Sequence, residues 1–448
     1  MKLFDTDNNI PENQFHTKYK FIKDDPMGNG ERRILQNWVD GMVDRDNKML
    51  YEFKTTFHSC FWEFYLYACF KEAGFVLNQT HNRPDFIIEA PTQVYVEAVV
   101  ANIKDKGRPE SDRNMFDLMN MFIPPKNQID FYDVLDEAIV RDSNAIISKY
   151  KKYQKEYSKC EWVDTDKPYV VALASYSQVN YGREYIYPMM ALLYGMYYNF
   201  KTEEYERREY IYKPGTNAKI SIGLFNLEEY SNISAILYSS STTLGKLTSL
   251  AISAGYPSDN SVYNIRRDYE DFRVPYKLQK VSEKCPELLS DGLFLFHNPY
   301  AKNKLDIECF ENSNVTQFFW KEEKLVYTSN TYPIVSRLNI PKILEIPYKV
   351  LIDEYLRQYN GYSPMEAYSL EATEKIEVDF QNSCLVCIWF VMKGSGALRN
   401  IHYIRPVDME EKLLLQEVYK EMEKYKGIDH IERIDIVRTQ DEFEAINQ

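Results

Sequence analysis

The chain has 448 residues, a length typical of two or three domains, and 44% of them are hydrophobic, which argues against global disorder. Its net charge of −13 argues against a protein that coats nucleic acid through bulk positive charge, although a local basic groove stays compatible with it. Seven cysteines at irregular spacing indicate reduced thiols. The first residues lack the apolar core of a signal peptide, and no apolar run approaches the ~18 residues that span a bilayer, so we expect a cytoplasmic protein with no membrane partner.

The first hundred residues predict helices followed by short strands. Residues 1–28 are polar and predict an arm, which with a helix over roughly 30–46 makes up an N-terminal segment 1–48. A second helix is predicted over roughly 50–73, with Gly74 as its stop. Three strands follow in FVLNQ, DFIIEA and QVYVEAVVA, so the order is helix, strand, strand, strand.

The middle of the chain predicts a core domain over 49–340 with insertions. Residues 103–130 are polar and rich in turn residues, which predicts a loop, and a long helix follows over about 131–157. The apolar run YVVALAS predicts a buried strand. A helix over 183–200, strands in SNISAILYSS and DGLFLFHNPYA, and a hairpin in VTQFFWKEEKLVYTS complete this region.

The last part of the chain predicts a small C-terminal α/β domain over 341–448. Two predicted helices, 343–358 and 408–425, surround the strand SCLVCIWFVMK. We expect this domain to bind a protein partner, to form a homo-oligomer or to select the target.

Three carboxylates lie inside segments that otherwise read as buried. Glu63 is the only charge in the run from Phe61 to Phe70, Asp85 opens the apolar run after Pro84, and Glu97 ends a strand-like run. A buried charge costs several kcal/mol unless it is paired or bound to a metal. Three such residues on three elements predict one shared cation, for which Mg²⁺ or Mn²⁺ suits carboxylate oxygens.

The pair Pro84-Asp85 followed by Glu97 resembles the PD-(D/E)xK nuclease superfamily. In that family an Asp at the start of one strand and a Glu on the next strand bind Mg²⁺, and a Glu on the preceding helix often completes the metal site. The resemblance covers roughly residues 50–175, and it implies that Asp85 and Glu97 are metal ligands with Glu63 beside them. It also implies an α/β fold with a restriction-endonuclease-like mixed sheet flanked by helices.

The chain departs from this family at the position two residues after Glu97, where the family has Lys and this chain has Val99. In some members the Lys comes from another element. Here the predicted helix over 131–157 offers Lys149, Lys151 and Lys152, of which Lys149 and Lys152 share one face. Lys104, just after the strand, is a further candidate.

The resemblance implies a divalent-metal-dependent endonuclease that acts on DNA rather than RNA, with a role in restriction or in defence against phage. The alternative is a catalytically degenerate nuclease fold that serves as a binding or assembly module, which the missing Lys and the acidic charge favour. In a purely structural interpretation, Asp85 caps a turn, Glu97 lies on a solvated strand face and the lysine run is a solvated helix surface. A glycosidase with Glu63 and Asp85 as its acid pair needs a set separation, which nothing in the sequence indicates.

Several further features are candidates for function or packing. His81 precedes the Pro-Asp pair, and a local basic cluster suited to phosphate comprises Arg83, Lys104, Lys106, Arg108 and Arg113. Cys384 and Cys387 are three positions apart, with two residues between them, inside an apolar strand, which predicts packing on opposite faces rather than a zinc site. His297 ends a strand and is a candidate cleft residue. SSSTTLGK lacks the form of a P-loop, so Lys246 predicts no nucleotide site.

Overall fold

The computed structural model describes residues 1–5, 10–202, 204–269, 271, 274–360, 379–392, 398–422, 428–439 and 442. The helices are α1 Thr17–Asp24, α2 Asn29–Trp38, α3 Met49–Thr55, α4 His58–Glu72, α5 Met115–Asn120, α6 Phe131–Lys155, α7 Tyr187–Tyr194, α8 Leu244–Ser253, α9 Glu345–Tyr359 and α10 Glu411–Met422. The strands are β1 Val76–Asn78, β2 Phe86–Ala90, β3 Val94–Asn102, β4 Tyr169–Tyr176, β5 Met196–Asn199, β6 Glu204–Arg207, β7 Tyr210–Tyr212, β8 Lys219–Ser221, β9 Ala235–Ser239, β10 Asn260–Arg267, β11 Tyr276–Lys280, β12 Phe294–His297, β13 Thr316–Lys321, β14 Lys324–Thr328, β15 Ile334–Pro341, β16 Ser383–Met392, β17 Leu398–Pro406 and β18 Ile428–Val437.

An eight-stranded mixed sheet organises the larger part of the chain, with the strand order β1-β2-β3-β4-β9-β12-β13-β14. The pairs β1–β2 and β2–β3 are antiparallel, whereas β3–β4 and β4–β9 are parallel. Beyond them, β9–β12 is antiparallel, β12–β13 parallel and β13–β14 antiparallel. The predicted α/β class is therefore confirmed, and the hairpin predicted in VTQFFWKEEKLVYTS is β13–β14.

Helices cover both faces of the central strands, which explains why β4 is buried along its whole length. Val96 and Ala98 of β3 share a core with the apolar side chains of α4, and the Trp62 indole nitrogen of α4 donates to the Ala172 carbonyl of β4 at 3.0 Å. Because side chains alternate along a strand, Glu97 lies on the other face of β3, the one that α6 covers.

Four of the sequence predictions need correction. The helix predicted over 50–73 is two helices, α3 and α4, because Phe57 between them has φ 63°. The helix predicted over 183–200 is helical only at Tyr187–Tyr194, and Gly195 at φ 69° ends it. The region 1–28 is not a simple arm, since it contains α1 and the buried Leu3, and the loop predicted over 103–130 contains α5.

Smaller sheets accompany the main one among the described residues. β11, β10 and β15 form a three-stranded sheet, β5 pairs with β6, and β7 pairs with β8. The chain divides into two compact units, one of Met1–Tyr198, Tyr205–Arg267 and Leu278–Ile352 and one of Asn199–Glu204, Asp268–Lys277 and Asp353–Gln448. The predicted domains 1–48, 49–340 and 341–448 stay predictions.

The second unit contains a three-stranded antiparallel sheet in the order β17-β16-β18. One face of β16 packs against Leu414, Val418 and Met422 of α10. Cys384 belongs to this core and Cys387 to the core of the opposite face, as the strand alternation predicted. Within the described ranges, every helix is too short or too polar to cross a membrane.

Candidate active site

The pairing of β2 with β3 brings two of the predicted carboxylates together. Phe86 pairs with Val96 in the antiparallel register, and continuing that register by one residue places Asp85 opposite Glu97. Directly opposed residues of antiparallel strands have Cβ atoms about 5 Å apart. Oδ2 of Asp85 accepts a hydrogen bond from the Ala98 amide at 2.8 Å, which holds the carboxylate against β3.

Glu97 is almost completely enclosed, with 1% of its side chain exposed. Its Oε1 lies 2.6 Å from the Lys149 ammonium and accepts a hydrogen bond from the Tyr157 hydroxyl at 3.1 Å. Its Oε2 is buried and has no hydrogen-bond partner among the described residues. One oxygen of this carboxylate is thus paired with a cation, while the other faces no donor.

Lys149 reaches Glu97 because α6 packs against β3 and β4. This helix begins at Phe131 and ends at Lys155, so Lys149 lies near its C-terminal end, where the ammonium meets the middle of β3. The other lysines point elsewhere. Lys152 is exposed, with its ammonium 5.2 Å from the centre of the Tyr157 ring, and Lys104 pairs with Glu137 at 3.2 Å.

Glu63 belongs to the same electrostatic group, although no hydrogen bond joins it to the other two carboxylates in the described part of the chain. The residue is partly exposed, yet protein atoms surround its carboxyl group. Burial, reinforced by the charge of Asp85, raises the pKa of Glu63 well above its usual range. Glu97 contributes less to this rise than Asp85 does.

The three carboxylates and Lys149 shift one another's ionisation. Burial, followed by the charge of Glu97, raises the pKa of Asp85 to about 7, although Lys149 and the Ala98 amide oppose the rise. Burial lowers the pKa of the Lys149 ammonium, but the charges of Glu97 and Asp85 outweigh it and raise that pKa. Perturbed carboxyl groups beside a Lys are typical of functional sites.

The donor set suits a hard divalent cation, since it consists of carboxylate oxygens. Such a cation would give Oε2 of Glu97 a partner. It would also lower the raised pKa values of Asp85 and Glu63. In this conformation, however, the described residues contain no group of three or more His, Cys, Asp or Glu side chains arranged to hold a metal. Instead, Lys149 contacts Oε1 of Glu97, and the Ala98 amide donates to Oδ2 of Asp85.

Sequence analysis missed three residues that contribute to this site. Tyr157 follows α6 and donates to Glu97. Arg45 donates through Nη2 to the Asp85 carbonyl at 2.8 Å and through Nη1 to the His81 carbonyl, so it fixes the segment that enters β2. Burial raises the pKa of the Tyr169 hydroxyl, and the negative charges of Glu97 and Asp85 raise it further. Tyr157, Tyr169 and Arg45 lie outside the motif formed by Pro84, Asp85 and Glu97, so the sequence did not indicate them.

The predicted basic cluster is largely neutralised by carboxylates. Arg83 lies 3.5 Å from Glu156. Arg108 pairs with Asp117, and Arg113 lies 4.0 Å from Glu110. Lys106 is exposed. His81 is not directed at Asp85, because its ring stacks on Trp162 with the ring centres 4.3 Å apart.

Two further residues singled out in the sequence, the candidate His297 and the non-candidate Lys246, are packing residues. His297 is buried, and its Nε2 shares a hydrogen bond with Gln317 at 2.9 Å, so it lines no cleft. Lys246 is also buried and pairs with Glu287 at 2.7 Å, while Arg337 binds the same carboxylate. A lysine held in this way cannot contact a nucleotide.

Comparison with protein-family models, with curated proteins and with solved structures finds no match to this chain. The geometry of the site is therefore the observation on which a function is argued.

Proposed function

We propose that this protein is a divalent-metal-dependent nuclease with a PD-(D/E)xK-like core that cuts DNA. The observation that carries the proposal is the contact between Lys149 and Glu97, at 2.6 Å, on the strand that faces Asp85. Where the family has its Lys, this chain has Val99. Lys149 of α6 brings an ammonium to the Glu97 carboxylate instead. A role in restriction or in defence against phage is part of this proposal.

The order and pairing of the elements support the same function. A helix, α4, precedes three antiparallel strands, β1 to β3, and α6 then leads to β4, which is parallel to β3. This is the order of helix and strands that the resemblance implies for residues 50–175. Asp85 directly precedes β2 and Glu97 lies within β3, which supports the proposal.

In the proposed reaction the residues of this chain have distinct tasks. Asp85 and Glu97 would hold Mg²⁺ or Mn²⁺, with Glu63 beside them. A metal held by these residues would supply the Lewis acidity that phosphodiester hydrolysis needs. Lys149 orients the attacking water and stabilises the negative charge that develops on the phosphate. Tyr157 keeps Glu97 in position through its hydrogen bond.

The proposal is tested by incubating plasmid and linear DNA with the purified chain in Mg²⁺ or Mn²⁺. We expect cleavage that EDTA abolishes and that Asp85→Asn and Glu97→Gln each remove, since both lack a metal-binding charge. Lys152→Met is the matched control for Lys149→Met, because both lysines lie on the last turns of α6 but only Lys149 contacts Glu97. Cleavage that survives Asp85→Asn would contradict the proposal.

A non-catalytic binding module is the second candidate, and the paired basic cluster favours it. Arg83, Arg108 and Arg113 each lie next to a carboxylate, which leaves less positive charge for a phosphate backbone than a nuclease groove usually offers. Calorimetry with Mn²⁺ separates the two candidates. Absence of both cleavage and Mn²⁺ binding supports the module, whereas cleavage excludes it.

A further inference from the structure

Side chains from two distant parts of the chain hold the residues that lead into β2. Residues 81–85, which we call the entry segment, end at Asp85, directly before β2. Arg45 donates to the first and the last carbonyl of this segment. Between them, the Trp162 indole nitrogen donates to the Arg83 carbonyl at 2.7 Å. Carbonyls at three alternate positions of the entry segment therefore each accept a hydrogen bond from a side chain.

The indole ring of Trp162 makes a second contact with the entry segment. The His81 ring stacks on it, with the ring centres 4.3 Å apart and the planes within 4° of each other. Stacked rings attract each other, and the hydrogen bond to the Arg83 carbonyl adds a fixed direction to that contact. The two contacts tie Trp162 to residues at both ends of a three-residue stretch that stops two positions before Asp85.

Trp162 is itself anchored to β3, the strand that carries Glu97. The Tyr95 hydroxyl donates to the Trp162 carbonyl at 3.1 Å and accepts from the Asp164 amide at 2.8 Å. Tyr95 is completely buried and lies two residues before Glu97 on β3. The backbone of Trp162 is thus bound to the strand of one carboxylate, and its indole is bound to the segment that carries the other.

The exposure of Trp162 separates this role from a role in the hydrophobic core. Trp162 is 38% exposed, whereas Trp38 and Trp62 are at most 4% exposed. A side chain that buries less apolar area contributes less to stability, so replacing Trp162 should cost less than replacing a core tryptophan. An effect on the entry segment can therefore be measured in a chain that stays folded.

We propose that Trp162 is a positioning residue of the candidate active site, which fixes the entry segment relative to β3 and so keeps the Asp85 carboxylate opposite Glu97. The hydrogen bond from the Ala98 amide to Oδ2 of Asp85, at 2.8 Å, depends on that placement. Replacing a residue that orients a metal ligand commonly lowers metal affinity by roughly 10–100-fold. The effect on a metal rests on the proposed function, whereas the placement of Asp85 does not.

The first measurement is the affinity of the full chain for Mn²⁺, determined by calorimetry. Trp162→Phe keeps a ring for His81 but removes the indole N–H, and Trp162→Ala removes both contacts. We expect affinity to fall about tenfold in Trp162→Phe, since the indole acts through a backbone carbonyl, and further in Trp162→Ala. Trp389→Phe is the matched control and should bind as wild type, because the Trp389 indole also donates, at 3.0 Å, but to Asp435 within the sheet β17-β16-β18.

A second measurement needs no metal, so its result does not depend on the proposed function. Hydrogen–deuterium exchange of the Ala98 amide is followed in EDTA, because this amide donates to Asp85. Asp85→Ala leaves the amide without that acceptor and gives the reference rate. Trp162→Phe should speed exchange at Ala98 toward this reference, and Trp389→Phe should leave it at the wild-type rate.

The outcomes distinguish this proposal from the proposed function. If wild type binds no Mn²⁺, the proposed function loses its metal, and the exchange rate at Ala98 decides on Trp162. Unchanged exchange at Ala98 in both Trp162 variants overturns the positioning role. An equal loss of Mn²⁺ affinity in Trp162→Phe and Trp389→Phe also overturns it, because reduced stability then explains both. If Trp162→Ala does not fold, His81→Ala replaces it, since that variant removes the stack and keeps the indole N–H.

Discussion

The ammonium of Lys149 lies 2.6 Å from Oε1 of Glu97, so a helix delivers the positive charge that Val99 cannot provide from the strand. The contact also explains how Glu97 is tolerated in the interior. Removing one partner of a buried ion pair leaves an uncompensated charge, which costs more than the pair itself contributes.

Lys149→Met should lower the free energy of unfolding by about 1–3 kcal/mol, because a buried carboxylate then loses its cation. It should also reduce DNA cleavage by roughly 10²–10³-fold, the effect of removing one group that stabilises the transition state. Urea denaturation and plasmid cleavage measure the two effects. Combining Lys149→Met with Glu97→Gln should recover part of the stability but none of the activity, and additive losses of stability would argue against the pairing.

The stability of the metal-free protein should fall as pH rises from about 4 to about 7. The pKa of Asp85 is raised from 3.8 to about 7, so the folded chain holds a proton that the unfolded chain has released. One such proton gives a slope of at most about 1.4 kcal/mol per pH unit. Urea denaturation in EDTA at several pH values measures it, and Asp85→Asn should make the profile shallower. An identical profile in that variant would show that Asp85 is not the titrating group.

Binding of Mn²⁺ should strengthen as pH rises through about 7, because the metal competes with the proton on Asp85. Calorimetry at pH 6 and pH 8, as test values on either side of about 7, should show tighter binding of Mn²⁺ at the higher pH. Fewer protons should be released at that pH, because Asp85 has already lost its proton there. The Lys152→Met chain serves as control and should behave as wild type. Affinity that is independent of pH would place the ion at another group.

Glu110→Gln should destabilise the chain by about 1–3 kcal/mol, since Glu110 lies 2.7 Å from the Lys18 ammonium and accepts from the Tyr181 hydroxyl. Lys18 is largely buried, and the variant leaves its charge unpaired. Thermal unfolding measures the loss. Glu52→Gln, at an exposed position of α3, is the control and should stay within about 0.5 kcal/mol of wild type.

Lys246→Met should destabilise the chain by about 3–5 kcal/mol, because Lys246 and Glu287 are both enclosed and the carboxylate would lose one of the two cations that contact it and keep Arg337. Lys302→Met, whose exposed side chain lies 3.6 Å from Asp166, should have little effect. Urea denaturation of the two variants compares their free energies of unfolding and so tests whether burial determines how much each ion pair contributes to stability. Equal effects would mean that it does not.

Periodicity predicted the parts of the fold that depend on local pattern. The long apolar-and-charged repeat gave α6, and the continuous apolar run gave β4, because burial on both faces leaves a recognisable composition. The break at Phe57 was not predictable, since a positive φ at an aromatic residue is imposed by packing and leaves no sequence mark. The same holds for the buried Leu3 in a segment that is polar on average.

The candidate site was predictable where it follows strand spacing and not where it depends on three-dimensional packing. The proximity of Asp85 and Glu97 follows from two adjacent strands. Whether Lys149 or Lys152 reaches Glu97 depends on the rotation of α6 about its axis against the sheet. The helical pattern places both lysines on one face of the helix, so it does not distinguish between them. Tyr157 begins a short 3-10 helix after α6, whose placement depends on contacts distant in sequence.

The position of α6 along the sheet has a mechanical consequence. Asp142 and Lys149 project from one rigid helix, so they cannot move independently of each other. A slide of this helix by one turn, about 5.4 Å, would separate Lys149 from Glu97 and Asp142 from Ser175 in the same step. The position of α6 against β3 and β4 therefore fixes both contacts together, the one between Lys149 and Glu97 and the one between Asp142 and Ser175.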